Sequence, residues 1–316
     1  MTCGETMRSA VLTAPKRFEL EERPVPAPRP GEVLVRVDAC GVCASDYESW
    51  LGQGDFPCLL GHEVAGTVVA RGRGATAAEG DPVAVWAAGR GYADFLAVAD
   101  GECYPTARGP SERALAEPVS CALNAVQLAN PAAGDAIVVF GAGFLGSLVQ
   151  LLARLRGPRL LVVVEPRADA RARALELGAD AVCDPAGGDP GQLVRELNGG
   201  RAADVCFEVT GAQRALDQVG STLRDHGKLV LVGFHRGRRD VPLGEWNWHA
   251  FDLLNAHFRD PAIIRSGMRG AVILIESGVL DLGTLVSHRY PLERVGDAFA
   301  DGIAKPDGFV KALVEL

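Results

Sequence analysis

The sequence lacks both an excess of positive charge and a long uninterrupted apolar segment. With 32 Lys and Arg against 40 Asp and Glu, its formal net charge is −8. A nucleic-acid partner is therefore not expected, because binding phosphates requires a clustered basic face. The short basic stretch HRGRRD, residues 235–240, is interpreted as a solvated loop. The apolar run at 136–153 is broken by glycines, so it predicts a buried strand, turn and helix and no membrane partner.

Cysteines are too few and too unevenly spaced for a disulfide framework. There are eight in 316 residues, which favours a reducing compartment. Residues 1–11 show neither the apolar segment of a signal peptide nor the arginine-rich pattern of a transit peptide. A cytoplasmic protein is predicted.

Two regions of the chain follow different patterns. Residues 9–99 contain short alternating strands separated by turns, which predicts a β-rich domain. After about residue 123, apolar strands alternate with glycine turns and amphipathic helices, which predicts a parallel sheet with right-handed crossovers. The predicted fold class is α/β, with a β-rich region followed by a doubly wound Rossmann domain formed by residues 123–260.

A glycine motif opens the second region. Gly141, Gly143 and Gly146 have the G-x-G-x-x-G spacing directly after a predicted strand and at the start of a helix. In that context the first glycine makes a tight turn, the second admits a pyrophosphate, and the third allows close helix–strand packing. The N–H groups of the helix N-terminus would face the phosphates. A dinucleotide cofactor is predicted.

Glu165 ends the next predicted strand, about 20 residues beyond the motif, where a carboxylate accepts the adenosine ribose hydroxyls. Arg167 and Arg171 could hold a 2′-phosphate, but the carboxylate would repel it, so NAD is favoured over NADP. The cofactor-binding residues predicted from this motif and strand end are Gly141, Gly143, Phe144, Leu145, Gly146, Glu165 and Arg167.

Potential metal ligands come from three separate segments. Cys43 lies in CGVCASD, His62 and Glu63 in GHEVAG, and Glu117 in LAEPVS. A thiolate, an imidazole and a carboxylate from separate loops suit a catalytic zinc with an open coordination position. The Cys40–Cys43 pair alone leaves three readings open: half of a structural zinc site, a redox pair, or one ligand beside a packing residue.

The motifs CGVCASD, GHEVAGTVV, LAEPVSCALNAV, FGAGFLG and FEVTG, in this order, resemble the medium-chain zinc-dependent alcohol dehydrogenases, particularly the sorbitol dehydrogenase-like branch. The resemblance extends over essentially the whole chain. It implies a GroES-like catalytic domain formed by residues 1–122 and 261–316, and an NAD-binding Rossmann domain formed by residues 123–260. It also implies further cofactor-binding residues, namely Thr210, Gly211, Val232, Gly233 and Lys311. It also implies a homodimer or higher homo-oligomer joined through a sheet edge, supplied by KLVLVGF (228–234) or FDLLNAHF (251–258).

The resemblance also implies roles for the site residues. Cys43 and His62 would bind zinc, whereas Cys40 would pack in the core. Glu117 stands where relatives place a cysteine or glutamate ligand, and Glu63 is a direct or intermittent ligand in the family. Three further residues would act beside the metal: Asp46 orienting the His62 ring, Ser45 accepting the substrate proton, and Glu48 at the end of the proton relay.

The sequence departs from the family at three points. It lacks the four closely spaced cysteines of the structural-zinc lobe, so one zinc per chain is expected. Glu48 and Asn124 each stand where many relatives have histidine. Five further cysteines are expected to be packing residues, namely Cys58, Cys103, Cys121, Cys183 and Cys206.

The implied function is reversible hydride transfer between NAD and a secondary alcohol, with zinc as the Lewis acid. A polyol, sugar or cyclitol is the expected small-molecule substrate. Two alternatives are a zinc-free quinone reductase-like NADPH oxidoreductase and a catalytically silent dinucleotide-binding protein. Candidate walls of the substrate pocket, expected between the domains, are Trp50, Trp86 and His257, with Trp248 as a further aromatic.

Overall fold

The chain divides into two compact units in the computed structural model, which describes residues 5–280 and 282–316. The first unit comprises the chain up to Ser120 together with Arg265–Leu316, and the second comprises Cys121–Ile264. The predicted boundaries fall after residue 122 and before residue 261.

The elements are numbered in chain order. The strands are β1 (Thr6–Ala14), β2 (Arg17–Pro24), β3 (Glu32–Gly41), β4 (Glu63–Arg71), β5 (Pro82–Trp86), β6 (Phe95–Ala99), β7 (Cys103–Pro105), β8 (Ala136–Phe140), β9 (Leu160–Val164), β10 (Ala181–Cys183), β11 (Ala203–Glu208), β12 (Leu223–Leu231), β13 (Asp252–Asn255), β14 (His288–Pro291) and β15 (Ala312–Glu315). The helices are α1 (Tyr47–Trp50), α2 (Pro110–Ala114), α3 (Ala116–Ala129), α4 (Phe144–Arg154), α5 (Ala168–Glu176), α6 (Pro190–Leu197), α7 (Gln213–Thr222), α8 (Leu243–Trp248), α9 (Pro261–Glu276) and α10 (Val295–Ala304).

The first unit is built on a mostly antiparallel sheet in the order β14-β15-β3-β4-β5-β7, with β6 also paired to β3. The hairpin β1–β2 forms a separate two-stranded sheet. Alternating valines of β3 bury one face, as the period of two along a strand requires. Trp50 completes this core, because its indole stacks on Phe18 at 5.4 Å and packs against Phe299 at 5.3 Å.

Pairing between β3 and β4 positions the metal ligands. Gly41, the last residue of β3, lies opposite Glu63, the first residue of β4. Cys43 follows β3 by two residues, and His62 immediately precedes β4. The antiparallel register therefore brings two segments about twenty positions apart in sequence to the same end of the sheet.

The second unit is a six-stranded parallel sheet in the order β10-β9-β8-β11-β12-β13. All five residues of β8 and all five of β9 are buried, as expected for strands covered by helices on both faces. The order reverses direction between β8 and β11, which is the topological switch point of a doubly wound sheet. The predicted α/β fold class is confirmed.

One edge of this sheet is formed by β13 and the other by β10. Of the two predicted edge segments, residues 228–234 belong largely to β12, which pairs with β11 on one side and β13 on the other, so that prediction is wrong. The alternative, residues 251–258, contains β13. Leu253 on this strand is 45% exposed.

Across residues 5–280 and 282–316, the structure contains no helix with the length and apolar character needed to cross a membrane.

Candidate active site

Three potential metal ligands converge in the first unit. One ligand atom each from Cys43, His62 and Glu63 lies within 4.8 Å of the other two. Cys43 and His62 are half-buried, and Glu63 is buried. A thiolate, an imidazole and a carboxylate form a donor set that suits Zn²⁺, so the residues present fit the metal that the sequence implied.

Glu63 is held by a buried cation. The Lys311 Nζ lies 2.6 Å from Oε2 of Glu63 and 2.7 Å from Oε1, and it donates to the Val42 carbonyl at 2.8 Å. Burial acts to lower the Lys311 pKa, but the charges of Glu63 and Cys43 outweigh it and raise that pKa above its usual value.

This contact gives Lys311 a role beside the potential metal ligands, and its predicted contact with the cofactor stays a prediction. Lys311 is only 4% exposed, and its ammonium neutralises a carboxylate that would otherwise be buried as an unpaired charge. Gly41 makes room for the pair, because a Cβ at this position would overlap the Glu63 carboxylate.

His62 is oriented by Asp46. Nδ1 of His62 lies 3.4 Å from Oδ1 of Asp46, so Nε2 is the ring nitrogen that could bind a metal. Burial of the imidazole acts to lower its pKa, but hydrogen bonding to Asp46 and Cys43 and their negative charges outweigh this and raise the pKa of His62 to about 12.

Ser45 and Glu48 lie just after the cysteine ligand. Ser45 is exposed in the short 3₁₀ turn Ala44–Asp46, and its hydroxyl donates to Sγ of Cys43 at 3.3 Å. Glu48 is half-buried in α1, where its backbone carbonyl accepts from the N–H of Gln53 at 2.9 Å. Ser45 is therefore beside the ligand cluster, as its predicted role in proton transfer requires.

Glu117 lies in the first turn of α3 and is half-buried. Its charge contributes to the raised Lys311 pKa. Its carboxylate is not part of the Cys43–His62–Glu63 group. The structure thus brings three of the four predicted ligands together and leaves Glu117 as a proposed fourth.

The other cysteines differ in how far they are buried. Cys40 is fully buried in the core of the first unit, and Cys103, Cys183 and Cys206 are also buried. Cys121 is exposed on α3, so its predicted packing role is wrong: it occupies a solvent-facing position of an amphipathic helix. Cys58 is partly buried against the hydrophobic core of the first unit.

The glycine motif has the geometry of a phosphate cradle. Gly141 follows β8 with φ +101°, a conformation that other residues rarely adopt. A Cβ on Gly146 would overlap the Gly141 carbonyl oxygen, whereas a Cβ on Gly143 would meet no atom within 4 Å. Gly143 therefore leaves open space at the start of α4, next to Phe144 and Leu145, and this fits a pyrophosphate.

Glu165 lies beside this cradle, immediately after β9. Its Oε2 accepts from the Ala142 N–H at 2.8 Å, and its Oε1 accepts from the Arg167 N–H at 3.0 Å. Arg171 donates to the carbonyls of Glu165 and Pro166 at 2.8 and 2.7 Å. Arg171 is thus committed to local contacts, which agrees with a structural role for it.

Sequence reasoning missed Arg173, which also contacts the glycine loop. Its Nη2 donates to the Ala142 carbonyl at 2.6 Å. Desolvation and the nearby Arg167 charge lower its pKa. The helical pattern of residues 168–176 predicts a solvated arginine face, and only the packing of α5 against β9 shows which arginine turns toward the motif.

The remaining predicted cofactor residues lie in two loops at the carboxyl end of the same sheet. Thr210 and Gly211 follow β11, and Val232 and Gly233 follow β12. The Gly141 turn is close to the first of these loops, because a Cβ on Gly141 would lie 2.8 Å from Cγ2 of Thr210.

The candidate pocket aromatics have different environments. Trp50 is 5% exposed within the first core, so it is a packing residue and the prediction that it lines a pocket is wrong. Trp86 is half-buried at the end of β5, opposite Glu63 in the strand register. His257 is exposed, with Nε2 3.4 Å from the Gly233 carbonyl, and Trp248 is 85% exposed.

Comparison with known proteins identifies the family. Residues 29–149 match the family model described as "Alcohol dehydrogenase GroES-like domain", and residues 145–274 match "Zinc-binding dehydrogenase". The chain is 30% identical to sorbitol dehydrogenase from Ovis aries, over 92% of each chain. It is also 30% identical to 2-dehydro-3-deoxy-L-galactonate 5-dehydrogenase from Pseudoalteromonas atlantica, over 98% of each.

A solved structure agrees with these matches. The NADP-bound structure of a zinc-binding dehydrogenase from Sinorhizobium meliloti 1021 superposes with a TM-score of 0.87 at 25% identity, covering 99% of this chain and 100% of that one. The chain belongs to the zinc-dependent medium-chain alcohol dehydrogenase family, and the predicted family and GroES-like plus Rossmann architecture are confirmed.

Proposed function

We propose that this protein is a zinc- and NAD-dependent dehydrogenase of a secondary alcohol, with a polyol, sugar or cyclitol as substrate. The convergence of Cys43, His62 and Glu63 carries the proposal. The names of the sorbitol and galactonate dehydrogenase relatives support the substrate class. The reaction converts R₂CHOH and NAD⁺ into R₂C=O, NADH and a proton.

The zinc site is proposed to consist of Cys43 and His62 with a carboxylate from Glu63 or Glu117. When bound, zinc supplies Lewis-acid polarisation of the substrate oxygen. Asp46 fixes the His62 ring by its contact at Nδ1, which directs Nε2 to the metal. Lys311 supplies the opposite charge to the buried Glu63 carboxylate, with Nζ 2.6 Å from Oε2.

The chain must also remove the proton of the hydroxyl. Ser45 has its Oγ 3.3 Å from the cysteine ligand, so it is the proposed acceptor of the hydroxyl proton. Glu48, three residues further along the chain, is the proposed base that receives this proton next. The hydride from the same carbon goes to the nicotinamide of NAD, which completes a balanced two-electron oxidation.

NAD is proposed as the cofactor because Glu165 lies at the end of β9, beside the glycine cradle. Its negative charge opposes a 2′-phosphate, and Arg171 is held by two carbonyls and by Asp184 at 3.2 Å. Arg167 is also held locally, since its guanidinium lies 3.5 Å from Asp169. Both guanidinium groups therefore have local partners that a 2′-phosphate would have to displace.

The zinc-free quinone reductase alternative does not explain why Cys43, His62 and Glu63 converge. The catalytically silent alternative does not explain why Ser45 lies beside this group. The cytoplasmic location and a homodimer or higher homo-oligomer, with β13 as an exposed sheet edge, are parts of the proposal.

The test is the absorbance of NADH or NADPH during oxidation of a panel of polyols, aminocyclitols and simple alcohols, with each cofactor in parallel. Zinc content is measured in the same preparation. We expect NAD-linked oxidation of a polyhydroxylated substrate, abolished by chelation and restored by zinc. Quinone reduction with NADPH that is insensitive to chelation would support the alternative function instead.

A further inference from the structure

Glu208, within the FEVTG motif, and His235, in the loop after β12, lie close together in the second unit. Glu208 is the last residue of β11 and is fully buried, whereas the His235 side chain is 19% exposed. Oε2 of Glu208 lies 2.8 Å from Nε2 of His235. A fully buried carboxylate is costly unless its partners are well placed, so the surroundings of Glu208 need an explanation.

Glu208 fixes the loop that follows β11. Its Oε1 accepts from the backbone N–H of Thr210 at 2.7 Å and of Gly211 at 3.0 Å, and also from the Thr210 hydroxyl. One carboxylate oxygen therefore sets the conformation of two predicted cofactor residues, and the other oxygen is left facing His235.

The loop that follows β12 lies directly against the first loop. The N–H groups of Val232 and Gly233 donate to the backbone carbonyl of Glu208 at 2.8 and 2.9 Å. A Cβ on Gly233 would overlap the Gly211 nitrogen and would lie 2.8 Å from Oε2 of Glu208. Glu208 is thus the residue that contacts both loops, through its backbone and its side chain.

The strand order places these loops at the nicotinamide end of the cofactor site. The glycine cradle follows β8 and Glu165 follows β9, so the adenosine half lies on that side of the switch point. A dinucleotide bound across the carboxyl ends of the strands extends its other half over β11 and β12. Glu208 is the last residue of β11, and His235 lies in the loop that follows β12.

Nδ1 of His235 has no hydrogen-bond partner within the described part of the chain, so this nitrogen is available for a ligand. Nε2 is at ion-pair distance from Glu208. Buried polar atoms without a hydrogen-bond partner are uncommon in native structures and call for an explanation. An imidazole nitrogen can donate to or accept from a ribose hydroxyl or a carboxamide.

We propose that His235 hydrogen-bonds the nicotinamide-riboside half of the bound cofactor and that Glu208 is the positioning residue for that imidazole. The proposal rests on the proposed function, since it presupposes dinucleotide binding. The proposal adds a specific contact from the loop after β12. This loop contains residues 235–240, whose charge pattern alone predicts only a solvated loop.

The experiment compares two ligands that differ in the nicotinamide-riboside half. NADH and ADP-ribose are titrated by calorimetry into wild type and His235→Ala, without alcohol. Loss of one hydrogen bond should raise the Kd of NADH about fivefold, while the Kd of ADP-ribose stays within about twofold. Arg238→Gln is the control, because Arg238 is exposed in the same loop, and it should change the NADH to ADP-ribose ratio by less than about twofold.

The role of Glu208 is tested by Glu208→Gln, which keeps the side-chain shape but removes the charge facing His235. It should weaken NADH more than ADP-ribose, and the double variant Glu208→Gln/His235→Ala should be no weaker than His235→Ala alone. His235→Gln gives an independent test of the contact if Glu208→Gln does not fold, and it should retain more NADH affinity than His235→Ala.

Equal weakening of both ligands by His235→Ala, or no change in either, would overturn the inference. A further loss of NADH affinity in the double variant would contradict Glu208 acting through His235. Failure of wild type to bind either ligand would contradict the proposed function itself, and is distinguished from failure of the inference because it does not involve the variants.

Discussion

Lys311 and Glu63 form a buried ion pair, with Nζ and Oε2 2.6 Å apart, across 248 positions of sequence. Lys311 immediately precedes β15 and Glu63 begins β4, and both strands pair with β3. The Gly41 position at the end of β3 leaves the space that the Glu63 carboxylate occupies. The sheet therefore places one fixed positive charge beside the proposed ligands and supports an ionised carboxylate there.

Replacing this cation should destabilise the first unit. Lys311→Met keeps much of the side-chain volume but leaves Glu63 as a buried charge, and we expect the free energy of unfolding to fall by about 3–5 kcal/mol. Urea denaturation of the zinc-free protein measures it. Glu63→Gln/Lys311→Met is the control and should recover part of the loss, because both charges are gone. Equal stability of wild type and Lys311→Met would contradict the structural role.

The glycine cradle predicts opposite outcomes for two similar substitutions. Gly143→Ala places its Cβ in open space, so thermal stability should be retained, but NADH binding should weaken by about tenfold or more because that space is proposed to hold the pyrophosphate. Gly146→Ala is the matched contrast, since its Cβ overlaps the Gly141 carbonyl oxygen and should lower the melting temperature. Unchanged NADH affinity in a folded Gly143→Ala protein would rule out this cradle.

Proton release provides a kinetic prediction. Glu48→Gln should lower kcat for alcohol oxidation by about tenfold, because a proton-accepting group is removed, without changing zinc content or the Kd of NADH. Raising the concentration of a small buffer base should restore part of the rate. Ser45→Ala should cause the larger loss. A rate for Glu48→Gln equal to that of wild type would show that the proton leaves by another route.

Asp204 provides a prediction about pH and stability in the second unit. It contacts Arg224 at 2.7 Å, the Ala136 N–H at 2.8 Å and Arg159 at 3.1 Å. Burial acts to raise its pKa, but these partners outweigh burial and lower it. A lowered folded-state pKa contributes stability that is present above the unfolded-state pKa, near 3.9, and is lost as pH falls through the lower folded-state value.

We therefore expect Asp204→Asn to lower the free energy of unfolding by about 1 kcal/mol at pH 7, a modest value because the partners are partly exposed. The difference from wild type should shrink as the pH falls below about 4. Urea denaturation at pH 7, 5 and 3.5 measures it. A difference that is constant over this range would mean that the loss comes from packing and not from the charge.

The sequence predicts the site best where the functional residues belong to short motifs. Gly141, Gly143 and Gly146 form one turn, and Cys43 and His62 flank two paired strands, so their motifs predict both the fold and the metal cluster. Lys311 and Glu208 could not be assigned in this way, because their roles depend on partners brought together by tertiary structure. Trp50 was misassigned for a related reason: an indole looks the same in sequence whether it lines a pocket or packs between Phe18 and Phe299.

The most direct test of the central claim is the zinc content of wild type and of the double variant Cys43→Ala/His62→Ala, measured by elemental analysis after gel filtration. The account predicts close to one zinc per chain in wild type and almost none in the variant, with NADH binding retained because the glycine cradle belongs to the other unit. Circular dichroism checks that the variant remains folded. A folded variant that retains the zinc of wild type would contradict the assignment of the metal site.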